Sequence, residues 1–458
     1  MSTASTAPGD ADTANVNADV IIAGAGPAGL FLAYKLAKFG INVDIVERLP
    51  RISKEPRAAG YYGAALLALK DAGLLQLAVQ RGYMAKGLGW RAAVQDDGQG
   101  KKIWGNLLCY IPFGDEKRNG GRQQQPEHGM LLLPQPQLCE LLEEQIHLLN
   151  RACISGTGRI TFHFNAELCA IHEEEDGVTV TVQHPETGIK SSLQGTLFVG
   201  ADGGKSAARS LLGIKLQGHT WPERLITADV MLRNIDLPPL APAHFVVHPV
   251  HFAMVIPLEQ PVEGETTLWR FSMATHPDEA LSDDELLQDE YLSNLFKLYM
   301  VAPNPSSPPQ YKVYRKTVYR VHQRLSNTMA KGRCALVGDA AHLTNPVGAL
   351  GLATALLDSE ALATAINMIL RERHPLSVLS TYSDARRQVF QSFVSPTSTA
   401  NKLRVQQEPA AAEDDWMVRT IKNATPSVLR DFFMPYMTVW RTDIRALVAV
   451  QEAAHCGN

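Results

Sequence analysis

Val20-Ile21-Ile22-Ala23-Gly24-Ala25-Gly26-Pro27-Ala28-Gly29 is the stretch that decides the fold. Its opening apolar run reads as a short strand buried on both faces, as strands of parallel sheets are. Gly24, Gly26 and Gly29 follow at the GxGxxG spacing. The first glycine permits a tight turn, the second lets backbone approach a pyrophosphate, and the third lets helix and strand pack closely. Ala28, inside the turn, counts with them as a cofactor-contacting position. Leu32, Ala33, Leu36 and Ala37 then recur at helical spacing, and Gly40 ends the helix. Val43, Ile45 and Val46 form a second strand that ends at Glu47, with Arg48 beside it. This order suits a dinucleotide. Free N–H groups and partial positive charge at the helix start face the phosphates, and the acid accepts hydrogen bonds from ribose hydroxyls.

Working outward, Leu138 to Ile146 has the helical period. Thr161 to Val182 reads as strands with a turn at Glu175-Asp176-Gly177, and Leu197 to Val199 as a buried strand. The texture changes from Leu216 to Thr328. Phe245 to Val247, Phe252 to Ile256 and Thr267 to Phe271 look like strands of a more open sheet, separated by proline-rich connectors at Leu237 to Pro242 and Pro303 to Pro309. Cys334 to Val337 returns to a buried strand, Leu352 to Leu370 is a long helix, and the chain beyond Ser395 is helical. The expected fold is α/β. A Rossmann-like dinucleotide-binding domain comes in two parts, residues 18–215 and 329–395. A mixed-sheet substrate domain is inserted at 216–328, a segment at about 85–130 also faces the substrate, and a helical segment closes the chain at 396–458.

Composition narrows the function classes. The 458 residues are 45% hydrophobic and 20% charged, with a formal net charge of -4, so no global field favours nucleic acid. Cys109, Cys139, Cys153, Cys169, Cys334 and Cys456 form no CxxC pair and no zinc spacing, and no metal is expected. Met1 to Asn17 lacks the features of a secretory or mitochondrial leader and reads as a disordered tail. No stretch reaches about 18 uninterrupted apolar residues; the run Leu350 to Leu370 is broken by Asp358 and Glu360. The expected location is cytoplasmic. The oligomeric state is not legible.

Two later segments separate FAD from NAD as the resident dinucleotide. Gly200-Ala201-Asp202-Gly203-Gly204-Lys205-Ser206-Ala207-Ala208-Arg209 resembles the Asp-Gly motif of class A flavoprotein monooxygenases, the para-hydroxybenzoate hydroxylase type. Gly338-Asp339-Ala340-Ala341-His342, with Pro346 and Gly351 downstream, resembles that family's Gly-Asp motif. With the glycine-rich turn, all three motifs occur in the family's order, from about Asp19 to Ile369. The resemblance implies that Asp339 holds the ribityl chain of FAD. It implies that Gly348, Gly351 and Leu352 lie at the flavin pyrimidine edge, and that Asp202 and, less directly, Arg209 serve FAD and NAD(P)H handling. Glu55-Pro56-Arg57-Ala58 and Leu133-Pro134-Gln135 resemble segments where an arginine and a glutamine contact FAD, which carries Arg57 and Gln135 over; a solvated Arg57 and a helix-capping Gln135 are the bland alternatives. One departure stands out: Ala353 occupies a place where the family commonly has asparagine.

The activity implied by the resemblance is hydroxylation of a small aromatic substrate, phenolic or polyketide-like, with NAD(P)H (NADPH as the family-level expectation) and O2, through a flavin C4a-hydroperoxide. Tyr61-Tyr62-Gly63 and Met130 to Gln135 are similar to segments of such enzymes from fungal secondary metabolism. His251, Arg270 and Tyr61 are candidates for the substrate-activating group, and packed or solvated residues on the alternative reading. Trp221 and Trp269 are candidates for an aromatic wall or for core, and His342 reads as structural. A flavin-dependent ene-reductase, an epoxidase or a Baeyer-Villiger oxygenase would share the fold. A binding module like the GDP-dissociation inhibitors would share only the first motif. The WxWxIP motif of flavin halogenases is absent from the sequence.

Overall fold

The computed structural model describes residues 18–456 apart from 56, 114–125, 234–237, 239–241, 263 and 303–308. The tail 1–17 lies outside the described residues. The first sheet is built on Ala18–Ala23, whose Val20, Ile21 and Ile22 are fully buried. That strand runs parallel to Val43–Glu47 on one side and to Lys190–Gly200 on the other. Ile160–Phe164 and Cys334–Leu336 extend the parallel set outward. Val178–Gln183 and Glu167–Glu173 add an antiparallel arm along the first half of Lys190–Gly200. The hairpin turn falls at Glu175 to Gly177, where the sequence places it.

Helices cover this sheet because their apolar stripes need a partner surface. Pro27–Lys38 packs against both Gln135–Ala152 and Leu350–Leu370. The last of these is long and apolar enough to cross a membrane, yet most of its residues are buried inside the protein. It belongs to the core.

The second sheet has the strand order His342–Leu343, Gln310–Ser326, Leu216–Arg233, Thr267–Ala274, Ala253–Pro257, His244–Val247, Gly87–Ala92, Leu107–Pro112. It is mixed. His244–Val247 pairs in parallel with Gly87–Ala92, while the other neighbours are antiparallel. The period-two pleat sorts its side chains. Ala253, Val255, Trp269 and Phe271 pack with the helix Asp289–Phe296 on one face. Met254, Ile256, Arg270 and Ser272 face the other way, toward the first domain.

A buried ionic hub joins the motif segments to the C-terminal helices. The Asp358 carboxylate, in the middle of Leu350–Leu370, is 0% exposed. It lies 2.6 Å from His342 Nε2 and accepts from Arg386 Nε at 2.7 Å and from the Gly338 amide at 3.1 Å. Arg386, on the helix Val378–Val389, also donates to the Trp440 carbonyl at 2.6 Å and to Thr354 Oγ1 at 2.9 Å. His342 stacks on Phe390, a structural placement. Burial pushes the Asp358 carboxyl up, but the adjacent His342 and Arg386 outweigh it and hold it below the usual carboxylate range. A buried pair is costly to break because one charge is left without a partner. Arg386→Met is therefore expected to lower unfolding stability by about 3–5 kcal/mol, measured by urea denaturation. The depressed carboxyl also fixes a pH dependence. The stabilisation from Asp358 is fully present above the unfolded-state value of about 3.9 and is lost as pH falls through the lower folded-state value. Wild type is expected to lose this increment on acidification, and Asp358→Asn is expected to lack that part of the pH dependence.

Candidate active site

The two sheets and the C-terminal helices enclose one cavity of ≈ 1200 Å³. At one end lies the glycine-rich turn. Gly24 has φ +108°, and a Cβ there would sit 2.5 Å from the Ala201 carbonyl oxygen. A Cβ at Gly29 would sit 2.1 Å from the Gly24 carbonyl oxygen, so Gly29 serves helix–strand packing and does not line the cavity. Gly26 differs from both. A Cβ on it would meet no protein atom within 4 Å, and it lines the cavity. Glu47 closes the turn, accepting from the Ala25 amide at 2.9 Å and the Leu49 amide at 3.0 Å. Each carboxylate oxygen keeps a free lone pair in this arrangement. Ala28 and Arg48 line the same end.

The Asp-Gly segment sits against this turn. Asp202 lines the cavity, but its carboxylate accepts locally, from Ser206 Oγ at 2.5 Å and the Ala208 amide at 3.0 Å. Arg209 is a brace: it donates to the Gly204 carbonyl at 2.9 Å and to the Ala340 carbonyl at 2.9 Å, tying the Asp-Gly segment to the Gly-Asp segment. Arg209 is not part of the cavity wall.

Asp339 does line the wall, and among the described residues no group donates a hydrogen bond to its carboxylate. Burial pushes its carboxyl up, opposed by the charges of Arg57 and His342. Arg57 and Gln135 come together because two chain segments are hydrogen-bonded: the Leu133 amide donates to the Ala59 carbonyl at 2.7 Å and the Gln135 amide to the Ala58 carbonyl at 2.9 Å. Both side chains line the cavity. Gly348 (φ +102°) and Ala349 (φ +53°) form a left-handed turn before Leu350–Leu370, and Tyr62 Oη donates to the Gly348 carbonyl. Gly348, Gly351 and Leu352 line the cavity, whereas Ala353 is fully buried in the core. The departure at 353 therefore falls off the cavity wall.

The far lobe lies beneath the second sheet. Leu88, Trp90, Phe245, Met254 and Ile256 cover it, with Phe432, Phe433 and Tyr436 from the C-terminal helix Pro426–Thr438 opposite. Of the three substrate-activating candidates, the structure brings only Arg270 to this lobe. Arg270 is 4% exposed and bound to Asp229 at both carboxylate oxygens, 2.7 and 2.9 Å, and to the Arg57 carbonyl. Tyr61 is corrected. The pleat that turns Tyr62 to the cavity turns Tyr61 into the core, fully buried and off the wall. His251 is corrected too. It sits in a turn, its Nδ1 donating to the Ala274 carbonyl at 3.0 Å, away from the cavity. Trp269 is core on the opposite face, and Trp221 lies under Lys402 Nζ, 3.8 Å from its ring centre. The sequence reading passed over Thr227, Ser272, Tyr319, Asn401, Phe432 and Tyr436. The alternation Thr317, Tyr319, Val321 was a usable signal for one strand. The C-terminal residues gave none, because their place depends on how the last helices return.

A dinucleotide turn, an acid without a donor, and an aromatic lobe on one cavity define a flavoprotein oxidoreductase site. Comparison with known proteins agrees. A family model described as FAD binding domain matches residues 17–397. Para-nitrophenol 4-monooxygenase of Pseudomonas sp. (strain WBC-3) is 32% identical over 417 residues, 91% of this chain and 94% of that protein. The 6-hydroxy-3-succinoylpyridine 3-monooxygenase of Pseudomonas putida (strain DSM 28022 / S16) is 27% identical over 90% of this chain and 94% of its own length. The crystal structure of p-nitrophenol 4-monooxygenase from Pseudomonas putida DLL-E4 aligns with TM-score 0.77 at 30% identity, over 93% of this chain and 99% of that one. The chain belongs to the FAD-binding-domain family of class A aromatic hydroxylases and is an FAD-dependent monooxygenase of that type.

The glycine geometry makes a paired prediction for the protein free of cofactor. Gly29→Ala is expected to destabilise it by about 1–3 kcal/mol, since the added methyl meets backbone. Gly26→Ala is expected to stay within about 0.5 kcal/mol of wild type. Thermal melts of the two variants check this.

Proposed function

We propose that the protein uses NAD(P)H and O2 to hydroxylate a small phenolic substrate at FAD held in this cavity. The observation that carries the reading is the continuity of one cavity from the glycine-rich turn, past Asp339, to an aromatic lobe. The residues present fit the cofactor. Gly26 faces open space where a side chain would collide with no protein atom, and among the described residues no donor reaches the Asp339 carboxylate. In this reading Gly24, Gly26, Ala28 and the N-terminus of Pro27–Lys38 carry the pyrophosphate, with Gly29 allowing the helix to approach. Glu47 and Arg48 hold the adenosine ribose, and Asp339 holds ribityl hydroxyls through charge-assisted hydrogen bonds. Arg57 and Gln135 contact the cofactor from the opposite wall, and Asp202 shapes the cavity beside the turn. The Gly348 to Leu352 backbone would face the flavin ring, where its amides would favour negative charge. Bound FAD would supply the redox chemistry and the activation of O2, with NAD(P)H as reductant.

The chain's own work is positional. The aromatic lobe orients the ring of the substrate and keeps water from the reacting atoms, which limits unproductive release of hydrogen peroxide. Arg270, neutralised by Asp229, holds the Arg57 segment against the second sheet. It thereby sets the distance between the cofactor wall and the substrate wall.

The first test is the absorbance spectrum of the purified protein, then NADPH oxidation and O2 uptake with a panel of phenols. A yellow protein whose NADPH oxidation rises with a phenol, with O2 consumed and a hydroxylated product found by mass spectrometry, meets the expectation. NADPH oxidation without O2 consumption would instead indicate a reductase. Asp339→Ala is expected to lose bound FAD while keeping wild-type circular dichroism. Normal FAD retention in that variant would remove Asp339 from the cofactor site.

A further inference from the structure

Three side-chain hydroxyls from three adjacent strands meet on the face of the second sheet that roofs the cavity. Thr227 and Ser272 stand directly opposite each other, Oγ1 3.1 Å from Oγ. Tyr319, opposite Leu225 and so one pleat along from Thr227, lies on the same face with its phenol beside both. All three line the cavity, and Thr227 and Ser272 are 5% and 7% exposed. Burying three hydroxyls in an otherwise apolar roof is unfavourable unless each finds a partner. Thr227 and Ser272 satisfy each other. Opened by a ligand, the pair and the Tyr319 hydroxyl present O–H donors and oxygen lone pairs to the cavity. None of the roles assigned above uses it.

The buried cations Arg270, Lys402 and Arg404 near this lobe are already paired. The Arg270 guanidinium is bound to both oxygens of Asp229 and to the Arg57 carbonyl. Lys402 lies 2.9 Å from Glu223, and Arg404 Nε 2.7 Å from Asp415. Arg320 and His322 also line the cavity, next along the strand from Tyr319; Arg320 is exposed there, where water screens it. His244 also lines the cavity; it pairs across from Val255 and Gly89, and its Nδ1 donates to the Pro242 carbonyl at 2.9 Å. A carboxylate brought under the roof would lose its hydration and meet there an arginine, Arg270, already neutralised by Asp229. A phenolic hydroxyl or a nitro group would find a matching hydroxyl cluster.

We infer that Thr227, Ser272 and Tyr319 form the subsite that holds the polar group of the substrate, and that this substrate is a phenol without a carboxylate. The inference rests on the aromatic-hydroxylase reading above. The test uses the FAD-loaded enzyme and two matched ligand sets: 4-nitrophenol and hydroquinone against 4-hydroxybenzoate and 3-(3-hydroxyphenyl)propionate. Binding is read from the ligand-induced change in flavin absorbance, which needs no turnover, and NADPH oxidation is followed in parallel. The carboxylate-free phenols are expected to bind at least about tenfold more tightly. Ser272→Ala and Tyr319→Phe are each expected to weaken 4-nitrophenol binding roughly three- to tenfold, with FAD retention unchanged. Trp269→Phe, on the opposite face of the sheet, is expected to leave that affinity as in wild type. Equal binding of carboxylated phenols would overturn the substrate class, and unchanged affinity in both hydroxyl variants would overturn the subsite. In either case NADPH oxidation stimulated by phenols would leave the hydroxylase reading standing. If no phenol of either set perturbed the flavin or stimulated oxidation, the hydroxylase reading itself would fall, and the inference with it.

Discussion

Backbone meets backbone at Gly24, and the rest of the cofactor lobe depends on that contact. The Ala201 carbonyl occupies the place of a side chain at Gly24, and the Gly24 carbonyl occupies the place of one at Gly29. The first strand, its helix and the segment after Lys190–Gly200 therefore approach more closely than any side chain would allow. Closeness at these two glycines leaves the third, Gly26, opening on the cavity. A phosphate needs that arrangement: amides at short range with nothing between.

A second constraint carries this geometry to the other end of the chain. Asp358 is a buried charge in a helix whose neighbours are otherwise apolar. It is tolerable only because His342, Arg386 and the Gly338 amide complete its coordination. Those partners lie on the Gly-Asp segment and on a helix that in turn grips the carbonyl of Trp440. The C-terminal helices are thus fixed to the segment that presents Asp339. Their aromatic residues reach the cavity from a defined direction.

The cavity is divided by polarity. The cofactor end is rich in backbone amides and ionisable side chains. The substrate end is aromatic and aliphatic, with neutral hydroxyls and an arginine already neutralised by Asp229. The buried cations Arg270 and Lys402 beside the second sheet are paired with Asp229 and Glu223, which weakens the field there. Selectivity in such a lobe follows from shape and from hydrogen bonds that a wrong ligand cannot make.

The linear sequence by itself determined the dinucleotide half. The glycine spacing, the strand before it and Glu47 after it act locally, so their roles follow from chemistry within about thirty residues. Resemblance to the family's motifs located the Asp-Gly and Gly-Asp segments, and alternation located three of the eight strands of the second sheet. The substrate lobe was decided by the tertiary structure alone. Tyr61 and Tyr62 are adjacent in sequence, and only the pairing of their strand with Met130–Leu132 determines which of them faces the cavity. His251 is a plausible base by residue type, but a turn directs it to the Ala274 carbonyl. Thr227, Ser272 and Tyr319 are unremarkable residues separated by tens of positions, brought together by the register of three strands. Phe432 and Tyr436 reach the site because a buried arginine far from it fixes how the last helices return. Contacts of that kind depend on packing between distant segments, and no local pattern encodes them.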